Sequence, residues 1–388
     1  MIKVLFLSQW YPHRYDPMAG LFVQKHAQAV SLYCDVRVLY VHADENIRTY
    51  ETEERKQKNV TETIIYYPYP KSGFFHKVIK AINYLRAYIK GYKRITSQGF
   101  IPEIIHANIL TRTGFMAYLY KLWKGTPYII TEHWTRYLPN RNAFNGIIRK
   151  FITKIVVKNA KAILPVSIML KDAMLSYNLH NTQYIIVDNV IDPAFFKTYP
   201  ITYRIKKRII LVSCFLETAK NVSGILRTVS QLSKQRNDFE LIIIGTGIDY
   251  LPITKYAASI GLTNEIVQFF GEKTSLEVAE WIYNSDYFVL FSNYETAGIV
   301  ITESLALGKP VLTTRVGIAE DYINEKNGFI IEPQDEHALL EKMNYLLDHF
   351  QNYDSKTIQV SVKNRCCYES VGMKIMEIYK KVLNSEHL

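Results

Sequence analysis

Two glutamates eight residues apart, Glu295 and Glu303, bracket a glycine in the stretch YFVLFSNYETAGIVITESLALGKPVLTT (287–314). The pattern predicts a strand, a loop that holds Glu295, and a helix that begins at about Gly298. The first amides of such a helix have no partner within the helix and lie at the positive end of its dipole. They can bind a diphosphate, while the two carboxylates accept hydrogen bonds from hydroxyls on either side of it. The arrangement suits a ligand made of a sugar, a diphosphate and a ribose; the amides are those of Gly298, Ile299 and Val300.

Three other residues follow predicted strands and have side chains or backbone suited to the same ligand. Lys220 begins a helix, where its charge can neutralise a departing phosphate. His133 follows the strand 128–131, and its ring can donate or accept a hydrogen bond near neutral pH. Gly20 precedes a helix after the first strand. Taken singly, each is an ordinary structural residue: a solvated lysine, a strand-end histidine and a turn glycine.

The elements that must position these residues alternate between short β-branched runs and helical stretches, which indicates βα units and parallel sheets. A Pro- and Lys-bearing stretch after Asp192 divides the chain, and 388 residues favour two domains. We expect domains at 1–195 and 196–365, and a helix at 366–388 that returns to the first domain. The predicted strands are 2–8, 36–41, 63–68, 103–107, 128–131, 162–167 and 183–189, then 208–214, 239–245, 266–271, 287–292, 310–314 and 329–333.

The stretch 287–314 resembles the signature of glycosyltransferase family 4, and the resemblance covers nearly the whole chain. It implies the GT-B fold, an α/β architecture in which two Rossmann-like domains with parallel sheets face a cleft. The donor would lie mostly on the second domain and the acceptor mostly on the first.

The resemblance also implies roles for single residues. Glu295 would bind hydroxyls of the donor sugar, Glu303 those of the ribose, and the amides of Gly298, Ile299 and Val300 would face the sugar and the diphosphate. Lys220 would be the phosphate lysine, His133 would lie beside the sugar's primary hydroxyl, and Gly20 would approach the phosphates. The nucleobase would lie against backbone groups of Phe270, Gly271 and Glu272. Phe215 stands where the family often has an arginine, so Lys220 would act with one cation fewer.

The function expected from these residues is retaining hexosyl transfer from a nucleotide-diphosphate sugar to a glycan or a polyprenyl-diphosphate-linked acceptor, in surface polysaccharide synthesis. Glu295, Lys220 and His133 are the expected catalytic residues. No two aspartates are spaced Asp-x-Asp, so we expect neither a metal nor another cofactor. Two alternatives stay open: a nucleotide-sugar epimerase on the same fold, and a non-catalytic protein that binds anionic surfaces.

Positive charge is concentrated in the first half of the chain. The net charge is +11, but residues 1–200 alone carry +14. Two helical segments, 74–95 and 147–161, place basic residues opposite apolar ones. We expect them to bind an anionic membrane surface, with a solvated helix face as the plainer reading; no nucleic-acid module accompanies the charge. The predicted apolar faces are Phe74, Val78, Ile82, Leu85, Ile89 and Tyr92, then Ile148, Phe151, Ile152 and Ile155; the basic faces are Lys80, Arg86, Lys90, Lys93 and Arg94, then Arg149, Lys150, Lys154, Lys158 and Lys161.

The cysteines and the start of the chain bear on its location. Four cysteines, among them adjacent Cys366 and Cys367, show neither pairing nor metal-ligand spacing, which favours a reducing compartment. The start MIKVLFLSQWYP lacks a basic region and a cleavage site, and no apolar stretch reaches about 18 residues. We expect a cytoplasmic protein that can lie at the inner face of the cell membrane.

Overall fold

The chain divides into two compact units, each built on its own sheet. The computed structural model describes residues 1–69, 76–212 and 218–384. The first unit comprises Met1–Val166, Leu170–Val190 and the C-terminal segment from Tyr368. The second comprises Ser167–Met169 and Ile191–Cys367.

A seven-stranded sheet forms the centre of the first unit, and its order is β3-β4-β2-β1-β5-β6-β7. All neighbouring pairs except one are parallel. The inner strands are nearly continuous apolar runs, as expected where both faces of a parallel sheet are covered. The strands are β1 (Lys3–Ser8), β2 (Asp35–Asp44), β3 (Glu51–Gln57), β4 (Val60–Pro68), β5 (Ile104–Asn108), β6 (Tyr128–Glu132) and β7 (Ala162–Pro165).

The edge strand β3 corrects the prediction that this sheet is wholly parallel. It is antiparallel to β4, with Glu51 opposite Tyr66 and Gln57 opposite Val60. Its sequence, ETEERKQ, holds no apolar residue, so hydrophobic alternation could not reveal it. The predicted strand 183–189 is instead an extended segment with a single bridge to β7.

Five α-helices lie among the described residues before residue 180. They are α1 (Leu21–Val30), α2 (His76–Ser97), α3 (Phe115–Lys124), α4 (Ile147–Asn159) and α5 (Ile168–Ser176). Helix α3 packs between α2 and α4. The rings of Tyr92 and Tyr120 stack with centroids 4.6 Å apart, and the Lys121 ammonium donates to the Asn159 carbonyl at 3.1 Å. These three helices therefore form one layer.

The second unit has a six-stranded, wholly parallel sheet in the order β10-β9-β8-β11-β12-β13. Its strands are β8 (Lys207–Val212), β9 (Phe239–Ile244), β10 (Val267–Phe269), β11 (Tyr287–Leu290), β12 (Val311–Thr314) and β13 (Gly328–Ile331). Its helices are α6 (Val222–Leu232), α7 (Tyr250–Ser259), α8 (Ser275–Tyr283), α9 (Ile299–Ala306), α10 (Ala319–Tyr322), α11 (Glu336–His349) and α12 (Ser355–Cys366). The end of the strand predicted at 208–214, with Cys214 and then Phe215, lies outside the described residues.

The last helix, α13 (Tyr368–Asn384), belongs to the first unit and packs on α1. A β-carbon at Gly372 would lie 2.1 Å from the Ala29 carbonyl oxygen, so the two helices touch through their backbones. The Tyr379 hydroxyl meets His106 Nδ1 at 2.6 Å. Val371, Ile375 and Val382 complete the core beside the central strands.

Helix α2 turns a different face to the sheet from the one predicted. Val78, Ile82 and Ile89 are 55, 42 and 43% exposed. The helix lies close to β2 at Gly91, where a β-carbon would lie 2.2 Å from Leu39 Cδ1. The predicted face was defined by its apolar side chains, and a glycine has no side chain that could mark this close approach. The buried side is Ala87, Tyr88, Gly91, Tyr92 and Ile95; the predicted Phe74 lies outside the described residues.

Three of the predicted basic residues of α2 contact the unit itself. The Lys80 ammonium lies 3.9 Å from the centre of the Tyr69 ring. Lys90 donates to the Tyr50 carbonyl at 3.4 Å, and Arg94 pairs with Glu54 at 3.1 Å. Their charges are thus partly committed within the fold.

Helix α4 also departs from the predicted division. Ile148 and Phe151, expected on the buried side, are 75 and 63% exposed. The buried residues are Thr153, Val156 and Val157, which the helix turns inward as it packs against α3 and the π-helical turn Leu110–Gly114. The exposed side therefore mixes apolar residues with the predicted basic ones.

Two observations concern membrane-spanning helices and the cysteines. Among the described residues, no helix is long and apolar enough to cross a bilayer. Among the described cysteines, Cys34, Cys366 and Cys367 form no disulfide, and the first two are buried.

Candidate active site

The start of α9 has the geometry that the glycine predicted. Strand β11 ends at Leu290, and α9 begins at Ile299 after a loop. Gly298, directly before the helix, has φ 75° and ψ 55°, a left-handed conformation that favours glycine. Gly298, Ile299, Val300 and Glu303 are all partly exposed. The positive end of this helix is thus accessible at the carboxyl edge of the sheet.

Lys220 and Glu295 meet at this edge. Their loops follow β8 and β11, which are neighbours in the sheet. The Lys220 Nζ lies 2.5 Å from Glu295 Oε1, and the Ser292 hydroxyl donates to the same oxygen at 3.0 Å. The two side chains are only 18 and 13% exposed. The structure therefore brings together two residues that lie 75 positions apart in the chain.

Two hydrogen bonds to backbone carbonyls hold the loops of the ion pair in place. The Asn293 amide donates to the Ala219 carbonyl at 2.7 Å, which ties the loop after β11 to the 3₁₀ turn Thr218–Lys220. The Thr314 hydroxyl donates to the Ser292 carbonyl at 2.6 Å from the end of β12. The ion pair thus rests on a loop anchored from both sides.

The predicted nucleobase segment lies after β10, and part of its backbone is already used. The Phe270 amide donates to the Ile243 carbonyl at 2.9 Å, and the Gly271 carbonyl accepts from the Gly245 amide at 2.7 Å. The Phe270 ring packs on Trp281, with centroids 4.5 Å apart. Glu272 is exposed. The groups left for a ligand are the Phe270 carbonyl, the Gly271 amide and the backbone of Glu272.

Gly20 belongs to the first unit and has a structural reason to be glycine. Its φ is 62°, and a β-carbon would lie 2.2 Å from the Trp10 carbonyl oxygen. Any larger residue would push the start of α1 away from the loop after β1. The fold explains this glycine without a ligand.

His133 lies just past β6 in the first unit and is 8% exposed. Its ring packs against Phe22 and His26, with centroids 4.5 and 5.4 Å away. Burial holds the pKa of His133 well below its usual range, and the nearby imidazoles of His26 and His106 lower it further. At neutral pH the ring is uncharged. Its Nε2 has no hydrogen-bond partner in the part of the chain that the structure describes.

Two family models match this chain. The model for glycosyl transferases group 1 matches residues 201–358, and the model for Glycosyltransferase Family 4 matches residues 27–195. Together they cover most of both units.

The chain is a family 4 glycosyltransferase.

Similar proteins extend over the full length of this glycosyltransferase. An uncharacterized glycosyltransferase of Methanocaldococcus jannaschii is 27% identical, over 98% of this chain and 99% of the relative. A Bacillus subtilis protein named as a teichuronic acid biosynthesis glycosyltransferase is 21% identical, over 88% of each chain. The crystal structure of Anabaena HepE in complex with UDP superposes with a TM-score of 0.75 at 15% identity, over 98% of this chain and 100% of HepE. The glycosyltransferase thus has the two-domain GT-B fold.

One buried carboxyl of the glycosyltransferase escaped the sequence analysis. Glu132 is fully buried at the end of β6 and accepts three backbone amides, each at 2.8 Å: those of Leu110, His133 and Trp134. Burial raises the pKa of Glu132 to about 7, against the lowering effect of these amides. The residue directly precedes His133 and fixes its loop. An acidic residue at a strand end has no pattern that could have singled it out.

The predicted site residues of the glycosyltransferase fall on both units. Lys220, Glu295 and the start of α9, with Glu303 and the Phe270–Glu272 segment, lie on the second unit. Gly20 and His133 lie on the first. Within the described ranges, no group of three or more His, Cys, Asp or Glu side chains is arranged to hold a metal ion.

Proposed function

We propose that this glycosyltransferase moves a hexosyl group, with retention of configuration, from a nucleotide-diphosphate sugar to a glycan or a polyprenyl-diphosphate-linked acceptor. The observation that carries the proposal is the Lys220–Glu295 pair beside the accessible start of α9. A cation, a carboxylate and helix-start amides are the groups that a sugar diphosphate needs. Surface polysaccharide synthesis is the proposed setting, in line with the teichuronic acid relative.

Each residue has a part in the proposed reaction. The diphosphate lies on the amides of Ile299 and Val300, and Lys220 leaves Glu295 to neutralise the phosphate that departs. Glu295 is then free to accept hydrogen bonds from the sugar. Glu303 binds the ribose, and the neutral His133 binds the sugar's primary hydroxyl. The base lies at the Phe270–Glu272 segment.

The bond changes follow from this placement. The bond between the anomeric carbon and the phosphate oxygen breaks, and the acceptor oxygen forms a bond to the same face of that carbon. The acceptor's proton passes to the departing phosphate. Lys220 and the helix start carry the developing charge, so we propose that transfer requires neither a bound metal nor another cofactor.

Thermal denaturation with UDP-, GDP- and ADP-sugars tests the donor site. A ligand that binds only the folded protein raises the melting temperature. We expect one nucleotide class to do so, and Lys220→Ala and Glu295→Gln to lose most of that shift. Lys342→Gln, which breaks a partly exposed lysine–glutamate pair on α11 in the same unit, is the matched control. The proposal fails if no nucleotide sugar shifts the wild-type transition.

Turnover separates transfer from the other activities of this fold. Product formation must require an acceptor, and the anomeric configuration of the new bond must match that of the donor. Chelation of divalent metals should leave the rate unchanged. Conversion of the free donor with no acceptor present would instead identify an epimerase.

We also propose that the first unit lies against an anionic membrane surface. The exposed sides of α2, α3 and α4 mix apolar and basic side chains, a composition that suits the bilayer interface. We call this the α2–α4 surface; it comprises Val78, Ile79, Ile82, Leu122, Trp123, Ile147, Ile148 and Phe151 with Lys77, Arg86, Lys93, Arg149, Lys154 and Lys158. None of these six basic residues forms an ion pair with another described residue.

A further inference from the structure

A cavity of about 340 Å³ opens within the first unit, and none of the described residues that line it is assigned to the donor. Its lining includes Ser8 at the end of β1, Tyr40 near the end of β2 and Tyr67 near the end of β4. The carboxyl ends of parallel strands are where α/β proteins bind ligands. The position alone makes the cavity a candidate binding site.

Aromatic rings form much of the wall. The rings of Tyr84 and Tyr88, on α2, lie with centroids 4.9 Å apart, and Tyr67 lies 6.2 Å from Tyr84. Trp10 also lines the cavity. Such rings offer flat apolar faces together with polar edges, which suits a sugar ring with its apolar faces and outward hydroxyls.

Two polar atoms of the wall lack hydrogen bonds of good geometry to the described residues. They are Gln9 Oε1 and the Tyr84 hydroxyl, and both are buried. The neighbouring Tyr88 hydroxyl donates to the Ser8 carbonyl at 3.3 Å. A buried polar atom without a partner costs about 1–3 kcal/mol. A ligand hydroxyl would give Gln9 Oε1 a partner and would add a second partner to the Tyr84 hydroxyl, which already interacts with that of Tyr88.

The charged groups of the cavity favour an anion. Lys80 and Arg112 line it, and neither forms an ion pair within the described residues. The acidic residue of the lining, Asp16, accepts the amides of Met18 and Ala19 at 2.9 and 3.1 Å. Its Oδ1 is thus used by its own loop, and the lining holds two cations against this one acid.

A pair of imidazoles adds neutral hydrogen-bonding groups. The rings of His13 and His42 lie with centroids 4.0 Å apart. Burial lowers the pKa of both, that of His42 to about 4, so neither ring is charged at neutral pH. Lys80 and Arg112 thus supply the positive charge of the cavity.

We propose that this cavity binds the acceptor as a saccharide that carries a phosphate or a carboxylate, held by Lys80 and Arg112. The sugar ring packs on the tyrosines, and its hydroxyls bond Gln9 and Tyr84. This inference rests on the proposed transferase function and adds the chemical class of the acceptor. It also moves Lys80 from the membrane surface, where the sequence placed it, to the acceptor site.

Binding of simple probes to the whole chain tests the charge requirement. Calorimetric titrations would compare glucose, glucose 1-phosphate, glucuronic acid and inorganic phosphate. We expect at least one charged sugar to bind about tenfold more tightly than glucose, as hydrogen bonds to charged groups allow. The better of the two charged sugars identifies the anion as phosphate or carboxylate. Equal binding of glucose and both charged sugars would overturn the proposal, as would inorganic phosphate binding as tightly as glucose 1-phosphate.

Variants locate the site. Lys80→Gln with Arg112→Gln should remove the advantage of the charged sugar and leave glucose binding unchanged. Tyr84→Phe should weaken all the sugars by a few fold. Lys77→Gln, at an exposed lysine on the same helix outside the cavity, is the control. If Lys77→Gln weakens binding as much as Lys80→Gln, the assignment is wrong.

The donor assay in the same samples separates this inference from the proposed function. If nucleotide sugars raise the melting temperature of every cavity variant while no probe binds, the acceptor site falls and the transferase stands. If the probes bind but no nucleotide sugar does, the cavity binds saccharides for another purpose. Its role as an acceptor site is then refuted.

Discussion

At the scale of single residues, Glu132 shows how a buried carboxyl can position a site residue without contacting substrate. Its two oxygens accept amides from two separate loops, one of which carries His133. Burial removes the carboxylate from water at a cost in free energy, and the hydrogen bonds from the three amides offset part of that cost. His133 therefore depends on a neighbour whose side chain points into the fold.

The substitution Glu132→Gln should loosen this loop. The glutamine amide group would place N–H donors against backbone donors and leave at least one amide unpaired, at a cost of about 1–3 kcal/mol. We expect a lower urea midpoint and a reduced kcat/KM. Glu265→Gln, at an exposed glutamate, is the control. An unchanged midpoint and rate would show that the three amide bonds contribute nothing.

Buried imidazoles should make the fold sensitive to acid. Burial lowers the pKa values of His26, His106 and His133, that of His26 to about 4 from 6.5. The unfolded chain therefore binds more protons than the folded protein between these values. The free energy of unfolding should fall as the pH drops from about 7 towards 4, by up to about 3 kcal/mol for His26 alone.

Glu132 opposes this trend, because its raised pKa makes the folded protein bind the extra proton between about 4.5 and 7. The imidazoles outweigh this one carboxyl, because burial also lowers the pKa values of His13 and His42. Urea denaturation at several pH values measures the slope of the free energy of unfolding against pH. His26→Leu should reduce this slope by the equivalent of about one bound proton. His180→Gln, at an exposed histidine, should not. A free energy of unfolding that increases as the pH is lowered from 7 to 5 would contradict the account.

At the scale of elements, the sequence predicted the start of α9 and placed Lys220 and Glu295 after strands of the second domain, but it did not predict the ion pair between them. Glycine before a helix and residues after neighbouring parallel strands leave clear signals. The faces of α2 and α4 were mispredicted because both segments carry more apolar residues than one stripe needs. In α2 the buried side is the one that contains Gly91, where the helix lies close to Leu39 of β2. Strand β3 was missed because an exposed edge strand needs no apolar residue.

Contact between α1 and α13 makes Gly372 the most sensitive position of the last helix. A methyl group there would clash with the Ala29 carbonyl, a backbone atom that cannot rotate away. Gly372→Ala should lower the free energy of unfolding by about 1–3 kcal/mol, as overpacking does. Met373→Ala, at an exposed neighbour, is the control. Urea denaturation measures both, and equal midpoints would show that the helices separate without cost.

At the scale of the whole molecule, the sequence predicted that positive charge is concentrated in the first half of the chain, but not where in the fold these charges lie. The +14 of residues 1–200 is divided between the α2–α4 surface, the acceptor cavity and pairs such as Arg94–Glu54. Four of the apolar residues that accompany the charge were predicted on the apolar faces of the two helices: Val78, Ile82, Ile148 and Phe151. Their exposure changes the expected membrane binding from purely electrostatic to mixed.

Cosedimentation with vesicles tests the α2–α4 surface. Phosphatidylglycerol vesicles should bind the protein at low salt and phosphatidylcholine vesicles should not, because each basic residue near an anionic surface contributes about 1 kcal/mol. Changing Arg149, Lys154 and Lys158 to Gln should reduce binding, and so should Ile148→Ser with Phe151→Ser. Lys234→Gln with Lys255→Gln, in the second unit, is the control. Equal binding of all variants would refute the surface.

The central claim is that a sugar diphosphate binds at the start of α9 and draws Lys220 from Glu295. A crystal structure with a bound nucleoside diphosphate measures this directly. We predict phosphate oxygens within hydrogen-bond distance of the Ile299 or Val300 amide, with the Lys220 ammonium on a phosphate rather than at 2.5 Å from Glu295. A diphosphate bound elsewhere, with the lysine–glutamate pair intact, would contradict the account.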